Sequence, residues 1–160
     1  MLRNFFGISV SIFVLMGTLF MGNSKAQYEE TAKLKVRILI FSGRPDPVYY
    51  IEKKELKDKV KSLLNRAEKA ADKSETDKKG TVIPNHLGYR GISIENQGGK
   101  ISDFPHSVAV YMGNIEIRDK QAGYILKYTE RDLENFLLNQ ALERGVLDEK
   151  VFNEIPDKAQ

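Results

Sequence analysis

Lys33-Leu34-Lys35-Val36-Arg37-Ile38-Leu39-Ile40-Phe41 alternates from its first residue. Leu34, Val36, Ile38 and Ile40 point one way, while Lys33, Lys35 and Arg37 point the other. A period of two with β-branched residues is the signature of a half-buried strand. Leu39 and Phe41 make the far end apolar on both faces, which places that end deeper in a sheet. Ser42-Gly43-Arg44-Pro45-Asp46-Pro47 then stops the strand, because two prolines and a glycine do not fit inside a ladder. Residues 48–51 read as a short extended piece leading into a helix.

The hydrophobic period changes beyond that piece. Leu56, Val60, Leu63, Leu64 and Ala67 fall at helical spacing and predict a helix over about residues 53–71. Between Lys53 and Lys69 this helix carries seven basic and three acidic residues, so its outer face is positive and reads as a solvated face. Residues 72–80 are polar and rich in charge, a loop composition. Residues 92–95 alternate again, and the adjacent glycines of Asn96-Gln97-Gly98-Gly99 mark a turn. Residues 107–112 and 115–118 are two further alternating runs, parted by Gly113-Asn114 as a bulge or a turn; residues 124–128 read as the return strand of a hairpin. Thr129-Glu130-Arg131-Asp132 resembles a capping box before a second helix, in which Leu133, Phe136, Leu137 and Ala141 share a face and Gly145 is a C′ residue. A short helical turn over residues 148–154 follows. This order predicts a two-layer α+β domain, an antiparallel sheet of about four to five strands with two main helices packed on it.

The N-terminal segment reads as an address. Arg3 precedes an uncharged, mostly apolar run, and Ser24-Lys25-Ala26 places small residues at −3 and −1 of a cut before Gln27. That is the layout of a signal peptide over residues 1–26, which implies an exported protein, periplasmic or extracellular, with no stable membrane insertion once the leader is removed. An uncleaved anchor is the alternative, since residues 5–22 make 18, near the lower limit of the ~17–25 residues that span a bilayer core. A single domain over residues 27–160 remains, with its core at about 33–145. There is no cysteine, hence no disulfide, no thiolate nucleophile and no residue for lipoprotein acylation. Two of the 25 basic residues, Arg3 and Lys25, lie in the leader, which holds no acid, so residues 27–160 carry 23 basic against 22 acidic groups. Near-neutral bulk charge gives no reason to expect a nucleic-acid partner.

Four motifs occur in order: Phe41-Ser42-Gly43-Arg44-Pro45-Asp46-Pro47, Leu87-Gly88-Tyr89-Arg90-Gly91, Val110-Tyr111-Met112-Gly113-Asn114 and Asp132-Leu133-Glu134-Asn135-Phe136-Leu137-Leu138. The set resembles a group of small bacterial proteins of unknown function with a Ser-Gly-Arg-Pro-Asn-Pro loop, a Gly-Tyr-Arg-Gly strand start and a late Trp-Leu-Leu helix. This chain has Asp46 for the asparagine and Phe136 for the tryptophan. The resemblance implies one intact domain over most of residues 34–142 and no particular activity.

The loop over residues 43–47 is the leading candidate site. Its prolines stiffen it, and Arg44 offers a planar fork of donors for a carboxylate or phosphate. Arg90, between two glycines, adds a second guanidinium if the two segments are neighbours, with Asp46, Tyr49 and Tyr89 beside it. The competing role for both arginines is to pin their own loops. The function expected is a non-enzymatic binding module whose partner is an envelope protein, a peptide or an anionic ligand. A small envelope hydrolase using Ser42 or Ser102 with His86 or His106 and Asp46 or Asp103, and a purely structural envelope component, are the alternatives. No Gly-x-Ser-x-Gly elbow, phosphate loop or dinucleotide glycine pattern is present, and no cofactor or metal is implied.

Overall fold

The computed structural model describes residues 32–40, 45–70, 81–119, 123–127 and 130–156. In chain order the elements are β1 (Leu34–Leu39), β2 (Val48–Ile51), α1 (Lys54–Ala70), β3 (Gly91–Asn96), β4 (Ser107–Tyr111), β5 (Asn114–Arg118), β6 (Gly123–Lys127), α2 (Asp132–Glu143) and α3 (Glu149–Asn153). The strands form one sheet in the order β2-β1-β3-β4-β5-β6, and every neighbouring pair is antiparallel. The α+β class, the antiparallel sheet and the short helix after the two main ones stand as expected, but the described strands number six rather than four to five. The additional strand is β2. It has four residues and follows a proline, so it reads as a connector, yet Tyr49 and Ile51 enter the core opposite Val36 and Leu34.

The register explains the two-layer architecture. Leu34, Val36 and Ile38 lie across from Asn96, Ile94 and Ile92; the same face continues through Val108, Val110, Ile115, Ile117 and Leu126. All of these side chains are buried. α1 covers them with Val60, Leu63, Leu64 and Ala67, and α2 with Leu133, Leu137, Leu138 and Ala141. α2 contacts β3, β4 and α1. The opposite face carries Lys35, Arg37, Ser93, Glu95, Ala109 and Arg118, and no described helix covers it.

Local chemistry sets the element ends. Leu39 ends β1, and the next amide, Ile40 N, donates to Asp46 Oδ1 at 3.0 Å, so the aspartate rather than a strand partner satisfies it. Phe41 lies outside the described residues. The break between β4 and β5 is a two-residue turn at Met112 and Gly113, both at positive φ (43° and 80°), which matches the twist of the flanking strands. α2 starts at Asp132 with Arg131 in the cap position and no side-chain capping bond, two residues later than a Thr129 cap would place it; Thr129 lies outside the described residues. Gly145 ends α2 as expected. Its φ is 65°, its N–H donates to Leu142 O at 2.9 Å, and Val146 N donates to Ala141 O at 2.9 Å. α3 is capped by Asp148, which accepts from Lys150 N at 2.8 Å.

Gly91 is the tightest backbone position in the sheet. Its φ is 112°, and a Cβ there would stand 2.3 Å from Val110 O on β4. Gly91→Ala therefore forces both a strained φ and a shift of β3 against β4. We expect a loss of about 2 kcal/mol or more in urea unfolding. A change below about 0.5 kcal/mol contradicts the close approach.

Candidate functional site

The candidate site lies where β1 ends and β3 begins. Leu39 pairs with Gly91, Arg90 N donates to Leu39 O at 2.7 Å, and Ile38 N donates to Pro47 O at 3.0 Å. These bonds bring Asp46-Pro47 and the 88–91 segment together although they are more than forty residues apart in the chain. Asp46 joins them at the side-chain level. Its Oδ1 holds Ile40 N, and its Oδ2 stands 3.9 Å from Arg90 Nη2. Their side chains are 16% and 27% exposed, so the pair is partly shielded yet reachable from solvent. Of the predicted site residues, the structure thus brings Asp46 and Arg90 together. Arg44 lies outside the described residues, as does Ser42.

The two tyrosines occupy a different place. Tyr49 is buried and its hydroxyl donates to Leu137 O on α2 at 2.8 Å. Burial pushes its hydroxyl pKa up, against a smaller opposing pull from Arg144, whose guanidinium lies 5.2 Å from the ring centre. Tyr89 is buried too and donates a short hydrogen bond to Glu134 Oε1. Burial raises its pKa, and the neighbouring Glu134 carboxylate raises it further. Both phenols therefore face the helices and support the site from within.

Sequence reasoning missed Glu134, the most deeply buried charged residue described, at 0% exposure. Its carboxylate accepts from Tyr89 and from Met112 N at 3.4 Å, and its Oε2 accepts from Arg131 Nε at 2.8 Å. Arg131 also donates to Pro156 O at 3.0 Å. One carboxylate thus ties α2, the β4–β5 turn and the residue preceding Arg90. The available signal was helical spacing, since Glu134 stands three, four and seven residues before Leu137, Leu138 and Ala141 on the buried stripe.

The remaining chemistry-bearing residues are dispersed. Ser102, Asp103 and His106 are exposed on the loop between β3 and β4, which Asn96 shapes through bonds to Ile101 N, Ile101 O and Phe104 O. His86 is exposed elsewhere; its Nε2 lies 3.2 Å from Tyr111 Oη and its Nδ1 2.7 Å from Leu87 O. Among the described residues no group of three or more His, Cys, Asp or Glu side chains is placed to hold a metal ion, and no helix is long and apolar enough to cross a membrane. No family model, curated protein or solved structure matches the chain.

The tyrosines give a pH dependence. Burial and the hydrogen bond to Glu68 push Tyr124 up to about 12, and Tyr49 and Tyr89 shift in the same direction. An unfolded tyrosine titrates near ~10. The folded state therefore holds these protons more tightly, and the associated stability is complete below about pH 10 and lost as pH rises through the folded values. Spectrophotometric titration should show part of the tyrosinate signal arising only with unfolding above about pH 10. Full ionisation of every tyrosine near pH 10 in the folded protein contradicts this.

Proposed function

We propose that the chain is an exported, non-catalytic binding module that holds an anionic group at the junction of residues 43–47 and 88–91. The single observation that supports this is the position of Arg90 against Asp46, 3.9 Å apart and incompletely shielded. That spacing is an ion pair, longer than a tight charge-assisted hydrogen bond of about 2.7–2.9 Å. A guanidinium has five N–H donors and binds a carboxylate bidentately, a geometry a point charge does not reproduce. The backbone under Arg90 is held by Leu39 O, and the adjacent Tyr89 is locked to Glu134, so the fork is presented from a rigid base. Preorganisation of this kind lowers the ordering cost of binding. The ligand class is an envelope protein, a peptide carboxylate or a small anion, met in the periplasm or outside the cell.

The test is crosslinked capture from envelope extract with wild type, Arg90→Lys and Arg44→Ala/Arg90→Ala, the captured species being identified by mass spectrometry. We expect a partner held by wild type and reduced about tenfold by the double variant, a loss of ~1.4 kcal/mol, with the melting temperature retained. Arg90→Lys should fall between the two. Equal capture by folded wild type and double variant overturns the reading and leaves the arginines as loop-pinning residues.

A further inference from the structure

The second face of the sheet is divided. Over β5 it is covered by the segment that precedes β3: Val82 N donates to Glu116 Oε2 at 3.0 Å, and Arg118 Nε donates to the other oxygen of the same carboxylate. Glu116 is buried there at 3% exposure although it projects from the face opposite the helices. Over β1, β2 and β3 no described element lies on the face. In this open half the register lines up Arg37, Ser93 and Ala109 across β1, β3 and β4. The two small side chains form a low floor between Arg37 on one side and the Val82 segment on the other. From β1 to β5 is three strand spacings, about 14 Å, enough for one extended chain to lie along the strands.

The charge on this half is organised by the pleat. Lys33, Lys35 and Arg37 project from β1 and its approach at alternate positions, so they repeat about every 6.7 Å. Lys33 lies over the Tyr50 ring at 4.4 Å and 3.8 Å from Glu52; Lys35 is 3.8 Å from Glu95. These are long, partly exposed pairs of the kind that exchange at little cost. Arg37 is exposed and holds no ion pair among the described residues. Tyr50, at 39% exposure, is the one exposed aromatic ring on this half among the described residues.

We propose that this open half docks an extended acidic polypeptide segment of a partner protein, with carboxylates at alternate positions facing Lys35 and Arg37. The match is one of period as well as sign. Alternate side chains of an extended chain repeat at the spacing of the β1 cations, and an acid every second residue meets them in register. Single-stranded nucleic acid fits less well, because it needs successive aromatic platforms and a groove of one charge, whereas this half has one tyrosine and the carboxylate of Glu95 among its cations. This surface is separate from the Arg90 junction, and its test does not depend on that reading.

The probes are a fluorescent ten-residue peptide of alternating glutamate and threonine, a peptide of the same composition with its glutamates in one block, and a lysine–threonine repeat. We expect the full chain to bind the alternating acidic peptide, the block peptide about threefold more weakly and the basic peptide not at all, with affinity falling as salt rises. Lys35→Glu/Arg37→Glu should weaken binding at least tenfold. The charge-matched control Lys59→Glu/Lys69→Glu, on exposed positions of α1, should leave it unchanged. If the double reversal fails to fold, Arg37→Gln replaces it and should weaken binding severalfold at an unchanged melting temperature. Equal binding of alternating and block peptides, equal loss in the α1 control, tighter binding to single-stranded DNA or to phosphatidylglycerol vesicles, or no binding at low salt each overturns the proposal.

Discussion

The Glu134 carboxylate is the constraint on which the arrangement of this domain turns. A charge buried to this degree is tolerable only when donors surround it, and three groups do so: the sequence-distant Tyr89 hydroxyl and Met112 amide, and the guanidinium of Arg131 at the start of the same helix. Taking one partner from such a set typically costs ~3–5 kcal/mol, because the remaining charge is left in a poorly solvating interior. The apolar attraction between sheet and helices is non-directional, whereas each of these donors must lie within hydrogen-bond distance of the carboxylate. The carboxylate therefore orients α2, the β4–β5 turn and the 88–91 segment relative to one another.

That orientation reaches the candidate site through the backbone. Tyr89 turns inward to Glu134, Gly91 lets β3 press against Val110 O, and Arg90 between them is left at the sheet end beside Asp46. Three residues of the Gly88-Tyr89-Arg90-Gly91 motif are thus explained by packing and backbone geometry, Gly88 also standing at positive φ. The side chain of Arg90 stands partly exposed beside Asp46, and the functional reading rests on that position. The same sheet divides its other face, with Glu116 holding the Val82 segment over one half and the β1 cations exposed on the other.

Much of this is legible in the amino-acid sequence. The alternation from Leu34 to Ile38 and the helical stripes of Leu56–Ala67 and Leu133–Ala141 gave the class, because period and burial are directly linked. β2 was undercounted since four residues beside a proline carry too little pattern, and only pairing with β1 reveals them as a strand. The start of α2 differs from the capping-box expectation: Arg131 stands in the cap position and its side chain bonds Glu134 and Pro156 O, partners that local sequence does not announce. The candidate site was half legible. The proline loop and the Gly-Tyr-Arg-Gly segment were recognisable as stiff and unusual, but the directions of Tyr49 and Tyr89 depend on long-range partners on α2. Glu134 is the less legible residue because acids are mostly solvent-exposed, although its place on the apolar stripe marks it.

The most direct measurement of the central claim is a double-mutant cycle between Tyr89→Phe and Glu134→Gln, read by urea unfolding. Each single change removes or weakens the buried contact with little change in volume. If the carboxylate organises the domain as described, the two are coupled by about 1–3 kcal/mol, and Glu134→Gln alone is the more destabilising. Additivity to within about 0.3 kcal/mol, with both variants close to wild-type stability, would contradict the account.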